Sequence, residues 1–167
     1  VVVLDVRVTQ SSDDAEELID PSPSQSYSTG NVTFTSSDLE MVDDSGWHGG
    51  DQAVGIRFQN LSIPQGATIL SAYLEFTTDE TTSGSTTVEI RAQDDDDAVT
   101  FSTASGNISS RPITSASVSW TIDGWNTVGQ LDTTPDLTAL VQEVVDRAGW
   151  TQANSMAFVI TGSGKRV

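Results

Sequence analysis

Carboxylates are the reactive side chains this sequence offers in quantity. Asp13, Asp14, Glu16 and Glu17 form one cluster, Asp38 and Glu40 a second, and Asp43, Asp44 and Asp51 a third; Asp79 with Glu80 and the run Asp94 to Asp97 follow. Hard cations such as Ca2+ take several such oxygens, together with carbonyls and water. Alternation along residues 38–41 turns Leu39 and Met41 inward and projects Asp38 and Glu40 from the outer face. The expected Ca2+ ligands are therefore Asp13, Asp14, Glu16, Asp38 and Glu40. The plain alternative is a solvated acidic face. The Asp94 to Asp97 run is no EF-hand, since it lacks the alternating ligands, the central Gly and the terminal Glu.

Other chemistry falls away. Cysteine is absent and His48 is the single histidine, set in a Gly-rich stretch. No Gly-x-Ser-x-Gly elbow is present to seat a nucleophile. Gly162-Ser163-Gly164-Lys165 suggests a phosphate-binding loop, but Val159 stands where a Gly is required and Arg166 where Ser or Thr is required. A glycosidase pair needs a cleft and a raised pKa, and the sequence points to neither. The chain is expected not to be an enzyme. Aromatic rings offer one binding alternative: Trp47 and Trp125 fall in loop-like stretches and Tyr73 on the polar face of a strand, and together they could stack on a polysaccharide. Trp120 and Trp150 read as core. Three Asn-x-Ser/Thr matches, at Asn31, Asn60 and Asn107, are what a Ser/Thr-rich chain gives by chance.

The 167 residues carry 24 acidic against 7 basic side chains, a formal net charge of -17. Such a surface repels nucleic acid, whose affinity rests on Lys and Arg at phosphates. No apolar run approaches the roughly 20 residues that span a bilayer. The length suits one domain over 1–167. An acidic, Lys-poor, Ser/Thr-rich surface without cysteine fits an extracellular or cell-surface location, and the start at Val1-Val2-Val3 reads as a mature piece.

The elements that must carry these residues alternate with period two. Val54, Ile56 and Phe58 share a face, as do Leu70, Ala72, Leu74 and Phe76; Val88 and Ile90; Val118, Trp120 and Ile122; Met156, Phe158 and Ile160. Turn-forming clusters separate them, which predicts an antiparallel β-sandwich. Arg57, Glu75, Glu89 and Arg91 are expected to form a cross-strand charge ladder on its wet face. Leu137, Leu140, Val141, Val144 and Val145 follow helical spacing. Thr134 as N-cap, Pro135 at the first turn and Gly149 beyond the end bound one capping helix at about 135–148. Residues 1–10 read as one long strand with Val2, Leu4, Val6 and Val8 on a face, its first half outside the domain body and its second half inside.

The run Ser11 to Glu17, Ser36-Ser37-Asp38-Leu39-Glu40, Val54-Gly55-Ile56-Arg57-Phe58, Ile63 to Ile69, Gln142-Glu143-Val144-Val145 with Gly149-Trp150, and Gly162 to Arg166 together resemble the DNRLRE-type β-sandwich module. The resemblance implies a secreted, non-catalytic jelly roll, repeated in tandem or appended to secreted enzymes, with some relatives similar to carbohydrate-binding modules. In that family an acidic loop and a last apolar strand follow the Gly-Lys-Arg stretch, where this chain reaches Val167. Either residues 1–6 supply such a strand to a neighbour or the remaining segment is missing. The resulting expectation is an extracellular structural or adhesive subunit that joins copies of itself through Val2, Leu4 and Val6 at the 1–8 strand, with Ca2+ as a stabiliser. A carbohydrate-binding module is the alternative.

Overall fold

The computed structural model describes residues 1–21, 26–45 and 49–167. It is an all-β sandwich with one short helix. A six-stranded antiparallel sheet is built from β1 (Asp14–Pro21), β2 (Val32–Thr33), β3 (Gly50–Phe58), β5 (Thr86–Ala92), β6 (Val118–Ile122) and β8 (Met156–Ser163). Its order is β2-β1-β3-β8-β5-β6, and β4 (Glu75–Thr77) pairs with β7 (Leu131–Thr133) in a second, two-stranded sheet. The expected strands at 54–58, 88–92, 118–122 and 156–160 are all present. The 70–76 stretch is extended, with only its end and Thr77 forming the β4 ladder.

The large sheet is covered on both sides, which simple alternation did not foretell. On one face Val54, Ile56, Val88, Ile90 and Ile160 meet Leu74, Leu137, Leu140 and Trp150. On the other, Ala15, Ala53, Ala157 and Val159 meet Phe101 and Ile108 from the 98–111 segment. Strands buried on both faces lose the clean apolar-polar alternation. Small residues mark the second face in the sequence: a Cβ at Gly55 would lie 2.5 Å from the Phe101 ring. Phe101 is pinned from above by the Arg111 guanidinium, 4.1 Å from its ring centre, and Arg111 itself reaches the carbonyls of Val99, Thr100 and Asn107.

Helix α1 (Thr138–Val145) begins three residues later than its apolar spacing and Pro135 suggest. Leu137, not Thr134, is its N-cap and offers no side-chain cap bond; Asp136 Oδ1, one residue earlier, accepts the Thr138 N–H at 2.9 Å. Thr134 is drawn off by tertiary bonds, its hydroxyl accepting the Leu74 N–H and donating to Pro135 O. The buried face is the expected one, with Leu140, Val141, Val144 and Val145 inside.

The expected charge ladder does not form. β8 lies between β3 and β5, so Arg57 and Arg91 are not on neighbouring strands. Arg57 turns to Asp13, 2.7 Å away, and to Ala98 O and Ser155 Oγ, while Arg91 bonds Glu89 on its own strand. No helix among the described residues is long and apolar enough to cross a membrane.

Candidate functional site

Two features stand out above the packed body: a buried carboxyl cluster beside the sole lysine, and an extended apolar segment with no strand partner. β1 carries Glu16 into the interior because Ala15 and Leu18 are buried beside it and the 39–43 segment closes over it. Glu16 Oε1 accepts the Glu40 N–H at 2.7 Å and the Gln52 side-chain amide at 3.2 Å; Gln52 also donates to Glu40 O at 2.5 Å. Glu16, Glu40 and Asp44 are 2%, 8% and 1% exposed. Glu40 was expected to point outward with Asp38. The chain instead turns it inside, where its N–H is held by Glu16 and its carbonyl by Gln52, and the extended alternation ends at Val42, whose φ is +64°.

Burial first, and then contact with the Glu40 carboxyl, pushes the Glu16 carboxyl up to about 9, while the same contact lowers Glu40. Glu40 is nonetheless raised on balance, by burial first and then by Asp44 and Asp38. One proton therefore sits on Glu16 and faces Glu40. Glu40 Oε2 is buried without a hydrogen-bond partner among the described residues. Lys165 Nζ approaches from the C-terminal segment, 3.6 Å from Asp44 Oδ1 and 3.9 Å from Glu40 Oε1.

That segment is held firmly, in contrast to the loose tail its Gly-Ser composition suggests. Gly164 sits at φ +91°, where a Cβ would press within 2.6 Å of Ser85 O and Thr86 Oγ1, so only glycine makes this turn without strain. Met41 N–H donates to Arg166 O at 2.7 Å. The Arg166 side chain is fully buried and donates to the carbonyls of Asp123, Lys165, Gly84 and Ile122. Val167 O accepts the N–H groups of Asp79 and Glu80.

The five expected Ca2+ ligands do not gather at one point. Asp13 is committed to Arg57, Gln59 and Thr100. Asp14, Glu16 and Asp38 line one cleft of about 260 Å³ with Ser36, Ser37 and Leu39, where Asp38 accepts from both serine hydroxyls and burial raises Asp14. Glu40 lies on the Lys165 side of Glu16. Among the described residues no three acidic or imidazole side chains are arranged to hold a metal ion.

Residues 1–5 are exposed, with Val1, Val2 and Val3 at 107%, 91% and 87% and Leu4 at 42%. Val6 and Val8 are half-buried against the main core. The expected strand over residues 1–10 does not form, since they pair with no described strand; the first half of the segment is exposed and the second half lies on the body. Residues 1–9 make no main-chain hydrogen bond to any described residue. The two-stranded sheet leaves an edge open as well. Leu74 O and Ala72 O accept from Thr134 and Leu137, and Thr78 N–H donates to Gln130 O. The main chain of Tyr73, Glu75 and Thr77 alternates to the opposite side, where no described strand pairs with it.

Of the three rings expected to form a sugar platform, two lie among the described residues, and one of these is buried. Trp125 is 3% exposed and packs beside Phe76 at 6.3 Å between ring centres, so its face is not at the surface. Thr82 N–H donates to Trp125 O and fixes the strand-like bridge that buries it. Tyr73 is exposed, at 62%. Trp47 lies outside the described residues.

Sequence reasoning did not find Asp44, Gln52 or Lys165 as parts of one cluster. The available signal was the solitary lysine five residues past the end of the apolar run 156–160. Comparison with family models, with curated proteins and with solved structures finds no match to this chain.

Proposed function

We propose that this chain is a non-catalytic extracellular structural module, similar in kind to DNRLRE-type modules, that joins to further copies of itself by strand addition. The observation that supports this most is the segment at residues 1–6: extended, apolar at Val2, Leu4 and Val6, exposed through Leu4, and without a main-chain partner among the described residues. Three consecutive valines in water expose β-forming apolar surface that pairing would cover. The open edge of β4 supplies complementary N–H and C=O groups; exposed Leu131 lies on the same small sheet, and exposed Tyr73 two residues before β4 begins. Strand addition gains affinity from main-chain hydrogen bonds and register from alternate side chains. It also offers a way past the like-charge repulsion that a net charge of -17 imposes.

Ca2+ enters this reading only as an auxiliary at the cleft of Asp14, Glu16 and Asp38. Arg57 and Lys165 already serve as counter-cations to Asp13 and to Glu40 with Asp44. Sugar binding is the lesser reading, since of the candidate rings Trp125 is buried and Tyr73 alone is described as exposed.

Light scattering across a concentration series tests the proposal. Assembly that grows with concentration, and disappears when residues 1–6 are deleted, is the expected result. A monomer at every concentration, with or without Ca2+, contradicts it.

A further inference from the structure

We propose that Lys165 and Asp44 are the partners of an intramolecular amide cross-link that forms spontaneously once the chain has folded. Lys165 is the single lysine of the sequence, and its Nζ stands 3.6 Å from the Asp44 carboxyl. That is longer than a hydrogen-bonded ion pair, typically about 2.7–2.9 Å; Arg57 and Asp13 in the same protein meet at 2.7 Å. The amine thus stands against the oxygen bonded to Cγ, the atom it would attack, and groups held in place in this way react far faster than free ones. Both partners are held from outside the pair. Arg166 anchors the residue after Lys165 through four carbonyls. Asp44 is fixed by its own N–H to Gly50 O and by Gly49 N–H to its carbonyl. With 1% of Asp44 exposed, the water that would reverse the reaction is kept from the carboxyl carbon.

The chemistry balances without a co-reactant. The ammonium of Lys165 and the carboxylate of Asp44 first become amine and acid by transfer of one proton. Nζ then adds to Cγ of Asp44, a C–N bond forms, one C–O bond breaks, and the departing oxygen leaves as water with two of the three ammonium protons. Nothing is oxidised or reduced. Glu40 is the proton carrier: its Oε1 lies 3.9 Å from Nζ, and behind it stands Glu16, whose carboxyl burial keeps protonated. Glu40 takes a proton from Nζ, and the Glu16–Glu40 pair returns one to the departing oxygen. A buried pair of carboxyls and a unique amine together thereby acquire a purpose that a simple counter-ion would not require. The inference stands on this geometry alone and does not depend on strand addition.

Intact-mass spectrometry of the purified, folded chain tests it. The expected mass is lower than the sequence mass by one water, with peptide mapping that joins Lys165 to Asp44. Lys165→Arg, which keeps the charge, restores the full mass. Glu40→Gln, which keeps both partners, slows formation at least tenfold. The full sequence mass after prolonged incubation of folded wild-type protein overturns the proposal, and this reading needs no variant to fold. Loss of water that maps to a succinimide at Asp123-Gly124, or an amide to Glu40, also overturns it.

Discussion

Glu16 accepts the main-chain N–H of Glu40 while the two side-chain carboxyls face one another in the interior. The relationship joins β1 to the segment that precedes β3, and it stores a proton where only a carboxylate is expected from composition. It also fixes how stability must depend on pH. The folded chain keeps a proton on Glu16 up to about pH 9, whereas the unfolded chain releases it near 4.5. The folded state then binds more protons across that window, so stability is full below 4.5 and declines as pH rises, by up to about 1.4 kcal/mol per unit. Asp136, held low first by the Thr138 hydroxyl and then by N–H groups, and Glu143, held low first by the Ala116 N–H, act oppositely but only in acid, as pH falls through their lowered values.

Glu16→Gln is the matching variant, because its amide reproduces the protonated carboxyl. In a Lys165→Arg background, so that no cross-link enters, it should be near-neutral at pH 5 and stabilising by about 1 kcal/mol or more at pH 8. Urea unfolding at the two pH values measures this. Parallel pH profiles for the two proteins would contradict the assignment of the proton.

Arg166 should matter far more than the surface cations. Its guanidinium is buried and donates to four carbonyls, those of Asp123, Lys165, Gly84 and Ile122. Arg166→Ala leaves those acceptors unpaired and should cost about 3–5 kcal/mol. Glu89→Ala, which removes the exposed partner of Arg91, should cost less than about 1 kcal/mol. Equilibrium unfolding of both variants gives the contrast, and equal losses would refute it.

Gly55 permits the second core. A methyl there would strike the Phe101 ring, which Arg111 holds in place. Gly55→Ala should destabilise by about 1–3 kcal/mol through overpacking, and Phe101→Leu in the same chain should recover part of the loss. Additive losses in the double variant, read from denaturant midpoints, would show that the two do not meet.

Trp125 and Tyr73 separate packing from recognition. Trp125→Ala should cost about 3–5 kcal/mol of stability, because the ring is buried beside Phe76. Tyr73→Ala should leave stability within about 0.5 kcal/mol. Thermal unfolding measures both, and an unaffected melting temperature for Trp125→Ala would place that ring at the surface.

The period-two runs at Val54, Val88, Val118 and Met156 were legible because each buries its larger residues on one face. The second core was not: Ala15, Ala53, Gly55 and Ala157 look like a polar or neutral face until Phe101 and Ile108 cover them, and that covering segment has no periodicity to announce it. The helix was legible in its apolar face but not in its start, since Thr134 is claimed by Leu74. The acidic residues were legible as clusters in sequence, and three of the five line one cleft. Which of them turn inward was hidden, because tertiary bonds to Glu16 and Gln52 hold Glu40 inside and the tertiary pair with Arg57 takes Asp13.

The central claim is that residues 1–6 join copies of this chain. The most direct measurement is solution mass by multi-angle light scattering after size exclusion, on the full chain and on the chain lacking residues 1–6, each with Ca2+ and with EGTA. The account predicts concentration-dependent assemblies of the full chain in both buffers. It predicts a folded monomer after the deletion, since Val1, Val2 and Val3 contribute no hydrogen bond to the body. A full chain that stays monomeric throughout, or a deletion that leaves assembly unchanged, would contradict it.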